Sequence, residues 1–185
     1  MSLRLAKEED IPQILAIYGP YILNTTYSFE YTVPSLQEFT ERYRRITEFF
    51  PWLVWEENGK VLGYAYGSFP FTREAYRWCA EISVYLAPEA QKKGIGRKLV
   101  ETLEKFLKLQ GFHKIYSIIT DNNTNSVEFH KVLGYKEVAR LPGCGYKLGQ
   151  ICGTIWMEKN LNLVNLYSKK PTSFENLVKN DSLHL

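Results

Sequence analysis

Residues 78–119 carry the pattern that most constrains the fold. An apolar run from Trp78 to Leu86 is stopped by Pro88, and Gly94-Ile95-Gly96 follows. Leu99, Leu103, Phe106 and Leu107 then recur at helical spacing, and Lys114-Ile115-Tyr116-Ser117-Ile118-Ile119 reads as a buried strand. Strand, helix and strand in this order make a βαβ unit, whose crossover lets the two strands lie parallel. The turn before the helix, Gln91-Lys92-Lys93-Gly94-Ile95-Gly96-Arg97, is rich in glycine and in cations. Consecutive backbone N–H groups at such a turn point outward and the helix dipole adds positive potential, so a pyrophosphate fits there, with Lys92, Lys93 and Arg97 strengthening the attraction. By spacing alone the segment is either that anion site or a plain turn. It is not GxxxxGK[ST], and it lacks the third glycine of GxGxxG.

The first half of the chain has a different grammar. Leu3-Arg4-Leu5-Ala6 alternates as a first strand does, and Ile11, Ile14, Leu15, Ile17 and Tyr18 follow at helical spacing, with Pro12 tolerable in the first turn. Ser35-Leu36-Gln37-Glu38 matches a capping box, Leu36, Phe39, Tyr43 and Ile46 continue one face, and the helix ends before Pro51. Asn58-Gly59 separates the apolar runs 52–56 and 61–66, the strongest short signal for a hairpin. Further on, Ser126 to Leu133 reads as a short helix closed by Gly134, and Ile151 to Met157 as a last strand. The fold class is therefore α/β (mixed α+β), with an antiparallel first half and a βαβ unit in the second. Residues 160–185 change character: Asn, Ser and Lys dominate around a weak Phe174, Leu177, Val178 cluster. They read as a polar extension of a domain spanning 1–159, poorly ordered or docked on it.

Composition removes several classes of function. With 45% apolar and 23% charged residues in 185, the chain is globular. No stretch approaches the roughly 20 apolar residues of a membrane helix, and Met1-Ser2-Leu3-Arg4 runs into Lys7-Glu8-Glu9-Asp10 without a signal-peptide core. The expectation is a cytoplasmic protein with no membrane partner. A net charge of +3, dispersed along the chain, is too mild for a nucleic-acid partner. Cys79, Cys144 and Cys152 form no CxxC pair, and His113, His130 and His184 are scattered, so no disulfide framework and no metal site is expected. Cys144 reads as a packing residue rather than a reactive thiol.

Two side chains stand out on their own. Glu81 lies in Trp78-Cys79-Ala80-Glu81-Ile82, an apolar and aromatic setting where an ionised carboxylate is expensive unless it is paired or used. Desolvation would lift its pKa from about 4.3 toward the range of a working base; the alternative is a solvent-facing or salt-bridged Glu on an alternating strand. His130, on the short helix before Gly134, is by itself more often a structural histidine than a catalytic one.

The order of these segments resembles a known family. Gln-x-x-Gly-x-Gly after the strand Glu81-Ile82-Ser83-Val84-Tyr85-Leu86 resembles the acetyl-CoA motif of the GNAT acyltransferases. Asn24-Thr25-Thr26 with Phe29, Pro51-Trp52-Leu53-Val54, Gly63-Tyr64-Ala65-Tyr66, Ala75-Tyr76-Arg77-Trp78 and Asn123 through Gly134-Tyr135 are similar to the phosphinothricin N-acetyltransferase branch, over about Leu3 to Lys159. The resemblance implies a twisted mixed sheet flanked by helices, splayed between the strand ending at Leu86 and the strand ending near Thr120 to hold acetyl-CoA, and a homodimer. It implies that the backbone of Val84, Tyr85 and Leu86 pairs with the pantetheine arm and supplies an oxyanion-binding N–H. The loop Lys92, Lys93, Gly94, Ile95, Gly96 and Arg97 would hold the pyrophosphate, and Asn123 is either a further acetyl-CoA contact or only a cap.

The resemblance also implies direct acetyl transfer to the primary amine of a small amino acid or analogue such as phosphinothricin or methionine sulfoximine. Glu81 takes the place of the catalytic carboxylate. His130 takes that of a catalytic histidine, relaying a proton from the amine with Glu81 or returning one to the sulfur. Tyr27, Phe29, Arg73 and Tyr76 are candidates for the acceptor pocket, or else plain core and surface residues. In one departure, the branch's acidic residue before the last apolar run is missing from Gln150-Ile151-Cys152-Gly153-Thr154, which bears on the acceptor more than on acetyl-CoA. Two other readings remain, a peptide or protein N-acetyltransferase and a non-catalytic acyl-CoA sensor.

Overall fold

The computed structural model describes residues 2–161 and 169–179. Its centre is a seven-stranded sheet made of β1 (Ser2–Leu5), β2 (Trp52–Glu57), β3 (Lys60–Ser68), β4 (Cys79–Leu86), β5 (Lys114–Thr120), β6 (Lys136–Lys147) and β7 (Gln150–Asn160), in the order β1-β2-β3-β4-β5-β7-β6. Every neighbouring pair is antiparallel except β4 and β5, the two strands of the βαβ unit. Asn58 (φ 51°) and Gly59 (φ 78°) turn β2 into β3, both left-handed as a two-residue hairpin turn requires.

Strand alternation gives the sheet two unlike faces. On one, Trp52, Tyr64, Tyr66 and Tyr85 make a stacked aromatic layer beneath α1 (Ile11–Asn24) and α2 (Leu36–Thr47), with Tyr18 and Tyr21 edge-on to Tyr85 and Phe39 and Tyr43 edge-on to Trp52. The capping box at the start of α2 is formed: Glu38 N–H donates to Ser35 Oγ at 3.2 Å and Ser35 N–H to Glu38 Oε2 at 2.7 Å. On the other face lies α3 (Ile95–Gln110), with α4 (Thr124–Val132) beside it. A methyl group at Gly67 would come within 2.7 Å of Phe50 and 3.1 Å of Leu107, so the small residues of β3 let α3 settle against the strand.

Two elements depart from the sequence pattern. β6 is a twelve-residue strand that no periodicity announces, because it is the outer edge of the sheet and nearly all of it is exposed, so no buried face imposes alternation. Two register shifts against β7 also break it. In the C-terminal extension, residues 169–179 pack onto the body, and Phe174 and Leu177 of α5 (Phe174–Lys179) are buried while Val178 is exposed. The rest of that extension beyond Leu161 lies outside the described residues.

Candidate active site

The site begins where the sheet comes apart. β4 and β5 are paired only at Cys79–Lys114, Ala80–Ile115 and Glu81–Tyr116; beyond Glu81 the strands diverge, and the edge of β4 that faces β5 has no strand partner. Ile82, Ser83, Val84 and Tyr85 on one side and Ser117, Ile118, Ile119 and Thr120 on the other line a cavity of about 80 Å³, to which Tyr21, Tyr27, Asn123, Ser126 and His130 also contribute. Unpaired backbone donors and acceptors on such an edge ask for a partner with amide groups of its own. Of the three backbone candidates, alternation turns the amide groups of Tyr85 to β3 opposite Tyr64 and leaves those of Val84 and Leu86 on the open edge, where the Leu86 carbonyl oxygen already accepts from Tyr21 Oη at 2.7 Å.

The glycine-rich turn sits at the mouth of this wedge. Lys92 (φ 59°) and Gly94 (φ 77°) are left-handed, and Gly94 is the N-cap of α3 with no side chain closing the first turn. The first N–H groups of α3 therefore face outward with the positive end of the helix dipole behind them. Nothing lies within 4 Å of a methyl group built on Gly94, whereas one on Gly96 would lie 3.3 Å from Leu86 and 3.5 Å from Phe129. Gly94 thus serves the backbone turn, and Gly96 the close approach of α3 to β4 and α4. Lys92, Lys93 and Arg97 are exposed around the turn, Arg97 within 3.4 Å of Glu101. Asn123 caps α4, its Oδ1 accepting from Ser126 N–H at 3.3 Å, and the residue also lines the wedge.

Glu81 and His130 occupy opposite faces of the sheet. Glu81 pairs with Ser68 and Tyr116 and shares the α1/α2 face with Ser83 and Tyr85. Burial pushes its carboxyl up to about 7, and it has no ion pair among the described residues. His130 is on the α3/α4 face, 1% exposed, with its ring edge-on to Phe129 and Tyr135. Its Nδ1 lies 2.8 Å from the Ser126 carbonyl oxygen, which can only accept, so Nδ1 carries the proton and Nε2 offers a lone pair. That Nε2 is buried without a partner among the described residues, and desolvation holds the ring's pKa down to about 4. An orphaned buried acceptor lining a wedge is a place for a hydrogen-bond donor that enters it.

The acceptor candidates fall into two groups. Tyr27 and Phe29 belong to the connection between α1 and α2, which is pinned to the end of β5 by Thr120 Oγ1 donating to Thr26 O at 2.8 Å. Tyr27 lines the wedge, while Phe29 packs over Gly145 of β6, where a methyl group would come within 2.6 Å of it. Arg73 and Tyr76 lie on the 69–78 segment. Arg73 lines a cavity of about 500 Å³ with Phe69, Phe71 and Arg77, and the Tyr76 ring packs at a tilt against Phe71, 4.4 Å between centroids. Phe71 in turn stacks on Trp156 of β7 at 5.9 Å.

Sequence reasoning passed over Tyr21, Ser117 and Asp121. Ser117 had a signal, since alternation in β5 puts it between Ile115 and Ile119 on the buried face. Tyr21 had none, because its contact with Leu86 spans 65 residues. Asp121 follows β5 and lies against the first part of β7: its N–H donates to Gly153 O at 3.0 Å, and a methyl group at Gly153 would come within 2.5 Å of its carboxylate.

A parallel pair that splits over a glycine-rich helix N-terminus defines an acyl-CoA-binding transferase site. The model of the acetyltransferase (GNAT) domain matches residues 3–156. The chain belongs to the GNAT acetyltransferase family. Among its relatives, the phosphinothricin N-acetyltransferase of Alcaligenes faecalis is 34% identical over 163 residues, covering 87% of this chain and 83% of that protein. The L-methionine sulfoximine/L-methionine sulfone acetyltransferase of Pseudomonas aeruginosa is 34% identical over 165 residues, covering 87% and 95%. The crystal structure of a GNAT superfamily phosphinothricin acetyltransferase from Sinorhizobium meliloti in complex with AcCoA superposes with a TM-score of 0.85 at 35% identity, covering 92% of each chain. Among the described residues no cluster of metal ligands occurs, and no helix is long and apolar enough to cross a membrane.

Proposed function

We propose that residues 1–159 form an acetyl-CoA-dependent N-acetyltransferase that acts on the primary amine of a small amino acid or analogue of the phosphinothricin or methionine sulfoximine type. The observation that carries this reading is Glu81, a desolvated and unpaired carboxylate at the point where β4 and β5 part. When bound, acetyl-CoA supplies the activated acetyl group. The free edge of β4 at Val84 and Leu86 and the first turn of α3 would hold it, and an N–H of that edge would stabilise the oxyanion.

An amine is mostly protonated at neutral pH, since an α-amino group has a pKa of about 8, and must lose a proton before it attacks. A carboxylate with a pKa near 7 accepts that proton far better than an ordinary glutamate. His130, on the other face, is neutral at pH 7 and acts at Nε2. Once the amine nitrogen has bonded to the thioester carbon it carries a second proton; Nε2 takes that proton and passes it to the sulfur as the C–S bond breaks, a role separate from that of Glu81. Tyr27 and Phe29 on one side and Arg73 and Tyr76 on the other border the amine's approach on the Glu81 face.

Val138, Leu141, Tyr146, Leu148 and Ile151 expose apolar side chains on the β6–β7 hairpin, which supports a homodimer. Three free cysteines suit the reducing cytoplasm. Sedimentation velocity at micromolar concentration checks the dimer.

The test is thioester consumption with acetyl-CoA against phosphinothricin, methionine sulfoximine, free amino acids, polyamines and short peptides. Turnover confined to amino-acid-like amines is expected; turnover on peptides alone, or acetyl-CoA binding with no turnover, would overturn the reading. A second expectation concerns the loop. Replacing Lys92, Lys93 and Arg97 together by Ala raises the KM for acetyl-CoA about 10-fold at low salt and leaves kcat unchanged. The difference shrinks above about 0.5 M salt, because exposed charges are screened and the backbone N–H groups remain.

A further inference from the structure

We infer that residues 169–179 are a brace that positions the 69–78 segment, and through it sets the affinity for the acceptor. This rests on the reading that Arg73 and Tyr76 border the acceptor. The segment 69–78 contains a single 3-10 turn, Glu74–Tyr76, and Tyr76 is 45% exposed. Its beginning is held by Phe69 against Phe49 and Phe50, at 5.1 and 4.7 Å, and its middle by Phe71 on Trp156. Its far half is reached by the C-terminal extension. The Trp78 indole Nε1 donates to Lys169 O at 3.0 Å, and Lys170 Nζ donates to Glu74 Oε1 at 2.6 Å.

A brace works only if it is itself anchored elsewhere, and this one is. Gln110, 2% exposed at the end of α3, donates from Nε2 to both Phe49 O and Thr172 O, at 2.8 and 2.9 Å. Thr172 N–H donates back to Gln110 O, Phe174 N–H donates to Phe49 O, and the Phe174 ring packs on Phe106 at 5.1 Å. Pro171 lies against Gly111, whose φ of 98° ends α3. The extension thus ties the 69–78 segment to α3 and to the turn after α2. It lies beyond residue 156, where the match to the family domain ends. Holding a loop in its binding conformation lowers the cost of binding without adding a contact to the ligand.

The experiment compares the full chain with a variant lacking 169–185, by hydrogen exchange and by steady-state kinetics with methionine sulfoximine and phosphinothricin as acceptors. The expected result is faster amide exchange across 69–78, an acceptor KM raised about 10-fold, and kcat and acetyl-CoA affinity within about twofold. If removal of Phe174 and Leu177 prevents folding, Trp78→Phe combined with Lys170→Ala leaves the Gln110, Phe49 and Phe106 anchors in place and removes the two hydrogen bonds to the loop; it should raise the acceptor KM about threefold. Unchanged exchange in 69–78 together with an unchanged acceptor KM, in whichever variant folds, overturns the brace. Arg73→Ala in the full chain separates the two readings. If it raises the acceptor KM while the truncation does not, the brace fails and the acceptor site stands. If it leaves the KM unchanged while the truncation speeds exchange, the acceptor role of 69–78 fails, and the positioning role with it.

Discussion

Replacing Glu81 by Gln lowers kcat/KM for acetyl transfer by about 100- to 10,000-fold, leaves acetyl-CoA affinity nearly intact, and makes the protein more stable at pH 8. The last effect has the sign of a buried base. The carboxyl ionises near 7 in the folded chain and near 4.5 in the unfolded one, so between those values the folded state holds the extra proton. Stability contributed by this group is present at low pH and is lost as pH rises through about 7. At about 1.4 kcal/mol per unit, the shift amounts to about 3 kcal/mol at pH 8. Glutamine keeps the shape and carries no charge, so E81Q recovers much of that cost. A glutamate kept for structure would behave in the opposite way: its removal would destabilise the fold and spare turnover. Urea unfolding of the two proteins at pH 5 and pH 8, beside kinetics, tells the two apart.

His130→Ala lowers kcat about 100-fold, and its loss multiplies with that of Glu81. Groups that act as one proton chain are non-additive, so a double variant on a shared relay would be little worse than E81Q alone. The two side chains lie on opposite faces of the sheet, one under α1 and α2 and the other under α3 and α4, and separate roles predict that the logarithms of the losses add. A double variant as active as E81Q would restore the relay. His130 also opposes Glu81 in the pH dependence of stability. Its folded pKa of about 4 lies below the usual 6.5, so the unfolded chain binds the extra proton between those values, and its contribution is lost as pH falls through that window. The two slopes nearly cancel between pH 5 and 6.5 in the natural chain. E81Q should expose the histidine's slope, gaining stability with rising pH across that interval.

What the sequence shows of all this follows the range of the interactions involved. The capping box at Ser35, the Asn58-Gly59 hairpin and the glycine turn before α3 are written in a few adjacent residues, and each forms where the pattern places it. The desolvation of Glu81 is legible because its apolar neighbours are sequence neighbours on one strand. β6 is not, since an edge strand exposed along nearly its whole length has no core to impose a period of two. Nor is the division of Glu81 and His130 between two faces. Alternation fixes that Glu81 shares a face with Tyr85, but only the packing of α1 against Tyr85 and of Phe129 near Gly96 says which helices cover which side. The docking of 169–179 hangs on Gln110 and Phe49, 62 and more residues away, and no local pattern reports such a pairing.

The central claim is that Glu81 is the base that frees the acceptor amine. The most direct measurement is kcat/KM for the acceptor as a function of pH, from about 5.5 to 9.5, for the natural chain and for E81Q. The account predicts a limb in the natural chain that rises with pH and bends near 7, distinct from the amine's own ionisation at higher pH, and its disappearance from a much slower E81Q. A limb near 7 that survives unchanged in E81Q would contradict it, and would assign that ionisation to another group.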